Sequence, residues 1–137
     1  MMLGKAKLFR DEEAQEKIQC CTDPKKIKAL GRTVRPFDAQ LWDRVKYPLV
    51  LTGNYNKFVQ NPALRQFLLS TGDSILIEAS PYDCIWGIGL SADDPRTQDP
   101  RQWRGSNLLG FALMEVRDEI RRTYANEDLC CDPWAAI

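Results

Sequence analysis

Residues 78–90 carry the side chains best suited to chemistry, in the order Glu-Ala-Ser-Pro-Tyr-Asp-Cys-Ile-Trp-Gly-Ile-Gly-Leu. Asp83 stands three residues before Trp86, so that a carboxylate and a flat aromatic surface could share one pocket. Gly87 and Gly89 permit positive φ angles and let backbone N–H groups come close to a ligand. The block therefore indicates a small binding or catalytic site at the end of a strand.

A purely structural interpretation of the same block is also open. Asp83 would cap a turn and Trp86 would fill the core. The Gly-x-Gly spacing is a weak phosphate signal, because the third glycine and the following helix of a dinucleotide site are both missing. No dinucleotide-binding fold is expected.

The chain contains no histidine, which excludes Ser-His-Asp and Cys-His mechanisms within it. Acid–base work must fall to carboxylates, lysine, tyrosine or cysteine. The pairs Cys20-Cys21 and Cys130-Cys131 are vicinal and lack the C-x-x-C spacing of zinc and redox motifs, so we expect reduced thiols, no metal site and no cofactor.

Nineteen basic and nineteen acidic side chains balance, so no net charge draws the protein to nucleic acid or to an anionic membrane. Any anionic ligand must be held locally. Arg32 and Lys57 could bind a phosphate or simply be solvated, and Trp42 could be a ligand platform or part of the core. The apolar runs are too short to cross a bilayer and no secretory signal is visible, so a cytoplasmic location is expected.

Helix signals recur in the first half of the chain. Good helix formers fill residues 10–21, with Asp11, Glu12 and Glu13 in the first turn, and Asp23-Pro24 begins a second helix over residues 25–30 that Gly31 should end. Asp38 caps a third helix, which Pro48 should break or kink before the helix resumes over residues 55–59.

The second half mixes helices with extended segments. Asn61-Pro62 predicts a helix that Gly72 ends, and residues 74–79 and 85–90 read as strands. Residues 91–106 read as an exposed loop. A last helix begins at Asn107, with Arg117 among its water-facing residues, and frays after Tyr124.

Several ordered blocks together resemble the NADAR family, also called YbiA-like proteins, from about residue 5 to residue 120. The blocks are Lys5-Ala6, Ala29-Leu30-Gly31-Arg32, Trp42, Lys57-Phe58-x-Gln60-Asn61-Pro62-x-Leu64-Arg65, Leu68-Leu69-x-Thr71-Gly72, Leu76-Ile77-Glu78-Ala79-Ser80-Pro81-x-Asp83-x-x-Trp86-Gly87-Ile88-Gly89-Leu90 and Trp103-x-Gly105-x-Asn107-x-Leu109-Gly110-x-Ala112-Leu113-Met114.

This resemblance implies a single compact α+β domain, mainly α-helical with a small β element. It also implies an N-glycosidase, a hydrolase that cleaves the bond between a ribose and a base. The family's substrates are ribosylaminopyrimidine phosphates of riboflavin biosynthesis and ADP-ribose attached to guanine. The implied partners are therefore a small ribosyl-phosphate substrate or an ADP-ribosylated nucleic acid, and no membrane.

The resemblance also assigns roles to residues. Breaking a C1′–N bond develops positive charge on the ribose, which a carboxylate stabilises, and Asp83 is the expected catalytic residue. Trp42 and Trp86 would line the base, and Gly87 with Gly89 would let the backbone approach the ribose. Phosphate and ribose contacts are expected from Lys57, Arg32 and Asn107.

Family members carry a Phe-Ser-Asn-Phe-type segment and a glutamate motif before the helix that holds Lys5, whereas this sequence starts at Met1. The expected organisation is therefore a NADAR-like domain over residues 1–124 that lacks its first segment, followed by a tail over residues 125–137. The alternative to an enzyme is a catalytically impaired module that binds ADP-ribose or a nucleotide.

Overall fold

The computed structural model describes the backbone of residues 1–130 and the side chains of residues 1–124. Six α-helices and two 3-10 turns lie within these residues. The helices are α1 Met2–Leu8, α2 Glu12–Gln19, α3 Pro24–Thr33, α4 Ala39–Gln60, α5 Pro62–Ser70 and α6 Leu108–Cys130, and the 3-10 turns are Pro95–Gln98 and Pro100–Gln102. Cys131 and the rest of the predicted tail lie outside the described residues.

Contacts divide the chain into two units, one of residues 1–50 and one that begins at Leu51. In the first unit α1, α2 and α3 enclose a small core. Asp11 caps α2 by accepting a hydrogen bond from the Ala14 N–H at 3.0 Å, as the acidic start of this helix predicts. The core residues are Ala6, Phe9, Ala14, Ile18 and Val34.

Gly31 does not end α3, so the prediction of a helix stop there is wrong. The helix continues to Thr33. A Cβ on Gly31 would lie 2.0 Å from the Met2 sulfur, which shows that the glycine lets α1 pack closely against α3. Close packing of two helices therefore accounts for this glycine.

Pro48 lies inside α4, so the predicted break is also wrong. A proline removes one backbone hydrogen bond from a helix interior, at a cost of about 3 kcal/mol. Apolar burial in the part of the helix that follows Pro48 opposes that cost, because Val50 and Phe58 are each only 8% exposed. Tertiary packing overrides the local preference here.

The second unit packs α5 against α6 around Phe58, Leu68, Val116 and Ile120. The Asn61-Pro62 start and the end before Gly72, whose φ is +57°, confirm the predicted helix α5. Two expectations for α6 are wrong. Arg117 is buried rather than water-facing, and the helix runs past Tyr124 to Cys130.

No strand occurs among the described residues, so the predicted β element over 74–79 and 85–90 is absent from this part of the chain. The mainly helical prediction is confirmed. None of the described helices has both the length and the apolar character needed to pass through a lipid bilayer.

Candidate functional site

Residues 76–90 and 104–110 form a tightly bonded pair of irregular segments, here called the turn cradle. The Ile88 N–H donates to the Glu78 carbonyl, and the Arg104 N–H donates to the Ile88 carbonyl, both at 2.9 Å. The Asn107 N–H donates to the Gly87 carbonyl at 3.0 Å. These long-range bonds fix the predicted site block against the start of α6.

Asn107 explains why residues 74–79 form no strand ladder. Its buried amide donates to the Leu76 carbonyl at 2.9 Å and accepts from the Glu78 N–H at 3.0 Å. One side chain thus satisfies the backbone groups that a neighbouring strand would otherwise bond. The φ of Asn107 is +50°, a conformation that asparagine tolerates better than most residues. The ribose or phosphate contact predicted for it stays a prediction.

Glycines let the cradle's backbone segments touch. A Cβ on Gly87 would lie 2.8 Å from the carbonyl oxygens of both Glu78 and Asp83. Gly89 has a φ of +68°, and its Cβ position is 2.9 Å from the Arg104 Cβ. Protein atoms therefore fill the space that the glycines leave, and the predicted approach of a ribose to Gly87 and Gly89 stays a prediction.

Asp83 uses one carboxylate oxygen to hold the turn. Its Oδ1 accepts hydrogen bonds from the N–H groups of Ile85 at 3.0 Å and Trp86 at 2.8 Å. The interpretation of Asp83 as a turn cap is thus confirmed. Its Oδ2 makes no hydrogen bond to any described residue, so one oxygen of this half-buried carboxylate remains available to a ligand.

A second carboxylate, that of Glu78, belongs to the same cradle. Its side chain is half-buried and has no hydrogen-bond or ion-pair partner among the described residues. Since the carbonyls of Glu78 and Asp83 both approach Gly87, the two acidic residues converge on one turn. Sequence analysis did not select Glu78, although it opens the most informative block and is the nearest acidic residue before Asp83.

The loop between the two segments of the cradle holds two Asp-Pro-Arg repeats that sequence analysis missed. Asp94 caps the first 3-10 turn and binds the guanidinium of Arg96, and Asp99 does the same for the second turn and Arg101. Hydrogen bonds, first of all from the paired arginine side chain, lower the pKa of each carboxyl to about 2.

Trp42 lies in the first unit, in a cluster with Lys5, Gly31 and Phe37 that we call the Lys5 corner. The Lys5 ammonium donates to the Gly31 carbonyl at 2.8 Å and lies 4.2 Å from the Phe37 ring centre and 5.6 Å from that of Trp42. Burial, followed by repulsion from Arg35, lowers the pKa of Lys5 below 10.5.

Lys5 was part of the family resemblance but not of the predicted site. The sequence feature that could have pointed to Lys5 is its place among apolar residues at the start of a helix, where desolvation lowers the pKa of an amine. Arg32 is exposed in the last turn of α3, and Lys57 is exposed on α4 with its ammonium 5.3 Å from the Phe58 ring centre. Neither side chain makes a hydrogen bond within the described residues.

Two surface grooves lie elsewhere in the units. One of about 610 Å³ runs between α4 and α6 and includes Tyr55 and Glu119, and one of about 570 Å³ lies by Cys20 and Cys21. Neither is lined by a cradle residue. We therefore choose the cradle as the candidate site because of its two acidic residues and not because of the size of a groove.

The chain matches the NADAR domain over residues 1–121. It is 48% identical over 119 residues to N-glycosidase R617 of Acanthamoeba polyphaga mimivirus, covering 87% of this chain and 70% of the relative. It is 42% identical over 121 residues to Protein irg-1 of Caenorhabditis elegans, covering 87% of this chain and 57% of that protein.

A more distant relative is a riboflavin biosynthesis protein. The chloroplastic PYRR protein of Zea mays is 33% identical over 112 residues, which cover 79% of this chain and 16% of that much longer protein. The similarity thus extends over most of this chain but over a varying share of each relative.

Proposed function

Since the chain belongs to the NADAR domain family, we propose that it is a hydrolase that cleaves an N-glycosidic bond in a ribosylated, phosphorylated base. The name of the mimivirus relative supports the reaction, and the name of the maize relative supports a riboflavin-pathway substrate. ADP-ribosylated guanine is the second substrate class that we propose to test.

The observation that carries this proposal is that only one of the two Asp83 carboxylate oxygens is hydrogen-bonded within the described residues. Its Oδ1 is fixed by two backbone N–H groups, which orients Oδ2 without occupying it. Departure of the base leaves positive charge on the ribose, and a fixed carboxylate oxygen stabilises that charge without first having to reorganise. The Trp86 indole on the same turn would stack against the departing base.

Glu78 supplies the second acidic group that this chemistry uses. Glycosidases that hydrolyse by direct attack of water pair one carboxylate that stabilises the sugar cation or activates water with another that protonates the leaving group. With no histidine in the chain, a carboxyl group, a lysine, a tyrosine or a cysteine must provide that proton. We propose Asp83 as the stabilising carboxylate and Glu78 as the proton donor.

Trp42 lies in the first unit, with its ring centre 5.6 Å from the Lys5 ammonium, and its predicted role in lining the base stays a prediction.

The sharpest test replaces Asp83 by asparagine. Asp83→Asn keeps an Oδ1 acceptor for the Ile85 and Trp86 N–H groups but removes the negative charge, so the turn should persist while base release falls by about 10² to 10⁴-fold. Release is measured by chromatography from a ribosylaminopyrimidine phosphate and from ADP-ribosylated guanosine.

Asp23→Asn is the matched control, because Asp23 also caps a backbone turn but lies in the first unit at the start of α3. It should leave base release unchanged. Full activity of Asp83→Asn would remove Asp83 from the mechanism. Binding of ADP-ribose without any base release by the parent chain would instead support the impaired binding module.

A further inference from the structure

Two arginines of the loop between the cradle's segments, Arg96 and Arg101, differ from Arg104, the first residue of the second segment, in what their guanidinium groups bind. Arg96 donates to the carboxylate of Asp94 at 2.9 and 2.6 Å, and Arg101 donates to that of Asp99 at 3.0 Å twice. Arg104 is exposed, and its guanidinium makes no hydrogen bond or ion pair with any described residue. Arg96 and, to a smaller extent, the nearby charge of Arg104 lower the pKa of the Asp94 carboxyl, but only Arg96 is bonded to it, so the guanidinium of Arg104 remains available to a ligand.

The backbone of Arg104 is hydrogen-bonded to the first segment of the cradle, residues 76–90. Its N–H donates to the Ile88 carbonyl at 2.9 Å, and two residues later the Ser106 N–H donates to the Cys84 carbonyl at 2.9 Å. On the other side, the Trp103 indole N–H donates to the Thr97 carbonyl at 3.0 Å. Only the side chain of Arg104 is left to move.

The Cβ atom of Arg104 lies beside Gly89. The Arg104 Cβ is 2.9 Å from the position that a Cβ of Gly89 would occupy, on the turn that also carries Asp83 and Trp86. An arginine whose backbone is already fixed loses less conformational freedom when it binds a ligand than an arginine on a mobile loop. Its planar, permanently charged fork also matches the geometry of a phosphate.

This geometry points to Arg104 as the residue that binds the phosphate of the substrate, an inference that rests on the proposed function. Lys57, a cation of the same unit that was selected from the sequence, lies on α4 and has no hydrogen bond to the cradle among the described residues. Arg104 was not selected because the family blocks leave its position, between Trp103 and Gly105, variable.

The test compares Arg104→Gln with Arg101→Gln in the full chain. Both variants remove one exposed guanidinium from the same stretch of chain, but only Arg104 has no carboxylate bonded to it among the described residues. Base release is measured from a ribosylaminopyrimidine phosphate and from its dephosphorylated form. Arg104→Gln should raise KM for the phosphorylated substrate about 10- to 100-fold, leave kcat nearly unchanged and spare the dephosphorylated substrate.

Equal effects of Arg104→Gln on both substrates, or the same KM increase in Arg101→Gln, would overturn the assignment. A binding arm separates this inference from the proposed reaction. Ribose 5-phosphate and ribose are titrated into each protein, with tryptophan fluorescence as the readout. Tighter binding of ribose 5-phosphate that Arg104→Gln abolishes supports the phosphate site even when no base is released, whereas equal binding of the two sugars by the parent chain contradicts it.

Discussion

In the turn cradle, buried polar groups are bonded to backbone on more than one side, whereas at the Lys5 corner a half-buried ammonium makes one hydrogen bond and otherwise faces aromatic rings. Both the nitrogen and the oxygen of the Asn107 amide make hydrogen bonds to the backbone of residues 76–78. Lys5 keeps donors that its single bond to Gly31 does not use.

The two regions differ in how far their polar groups are satisfied by hydrogen bonds. Satisfied polar groups make a rigid frame, because breaking any one bond leaves a buried group without a partner. Burial of an ammonium near aromatic rings instead disfavours its charged form, at some cost in stability. Four predictions test this contrast.

The largest effect is expected from Asn107→Ala. It leaves the Leu76 carbonyl and the Glu78 N–H without partners and places an alanine at a φ of +50°, for a combined loss of about 3–6 kcal/mol in the free energy of unfolding. Urea unfolding followed by tryptophan fluorescence measures the loss.

Asn107→Gly separates the two contributions, because glycine accepts the φ but still lacks the amide. It should lie between the parent chain and Asn107→Ala. A stable Asn107→Ala protein would show that the cradle is not the rigid frame described above.

A pair of glycine substitutions sharpens the comparison. A Cβ at Gly105 would lie 2.3 Å from the Gly87 carbonyl oxygen, which is backbone, whereas a Cβ at Gly31 meets the flexible end of the Met2 side chain. Overpacking costs about 1–3 kcal/mol, and alanine gains about 1 kcal/mol over glycine inside a helix. Gly31→Ala should therefore lower the Tm by much less than Gly105→Ala.

Met2→Ala provides the control for this pair. Added to Gly31→Ala, it should restore most of the lost stability, because it removes the side chain that the new methyl group meets. Equal losses in Gly31→Ala and Gly105→Ala, measured by thermal unfolding, would contradict the distinction between a backbone frame and a side-chain contact.

The titration of Lys5 gives a smaller effect. Burial and then Arg35 lower its pKa in the folded chain below 10.5, so the folded state binds this proton less well than the unfolded state does. Stability should rise as the pH increases through the folded pKa toward 10.5. Arg35→Gln should raise the pKa of Lys5, as measured by NMR of the ¹³C-methylated amine, and an unchanged pKa would exclude repulsion by Arg35.

The smallest effect is expected at the Asp-Pro-Arg turns. Asp94 and Asp99 have pKa values of about 2 against an ordinary 3.8, so their stabilising bonds persist above the ordinary value and are lost as the pH falls toward 2. Trp103 fluorescence should change over that interval, because its indole is bonded to the first turn. A variant with Asp94→Asn and Asp99→Asn should lack this acid transition, and its persistence would assign the transition to other carboxyls.

Elements defined by local signals could be predicted from the sequence. Asn61-Pro62 and Gly72 correctly bounded α5, and the acidic residues at Asp11 correctly placed the start of α2. In both cases the decisive interactions join residues that are close along the chain.

Elements decided by distant contacts could not be predicted. Residues 74–79 have strand-forming composition, but a side chain about thirty positions away bonds their backbone instead of a strand. Arg117 is polar and lies between acidic residues, yet it is buried and donates to the Thr71 hydroxyl and the Ser74 carbonyl. Such partners leave no periodic pattern in the sequence.

The same division applies to the candidate site. The block from Glu78 to Leu90 was located from its own residues, and the cap made by Asp83 was among the interpretations. The bonding of Arg104 and Asn107 to this block depends on the return of the chain after residues 91–103, whose path the sequence did not indicate.

The Asp-Pro-Arg turns have a consequence for how the loop can vary in length. Asp94 and Asp99 begin two successive pentapeptides, each of which supplies its own cap and its own counter-ion. Insertion or deletion of one whole pentapeptide would leave neither an orphaned charge nor an uncapped turn. We expect the distance along the chain between the cradle's two halves to change most easily in steps of five residues.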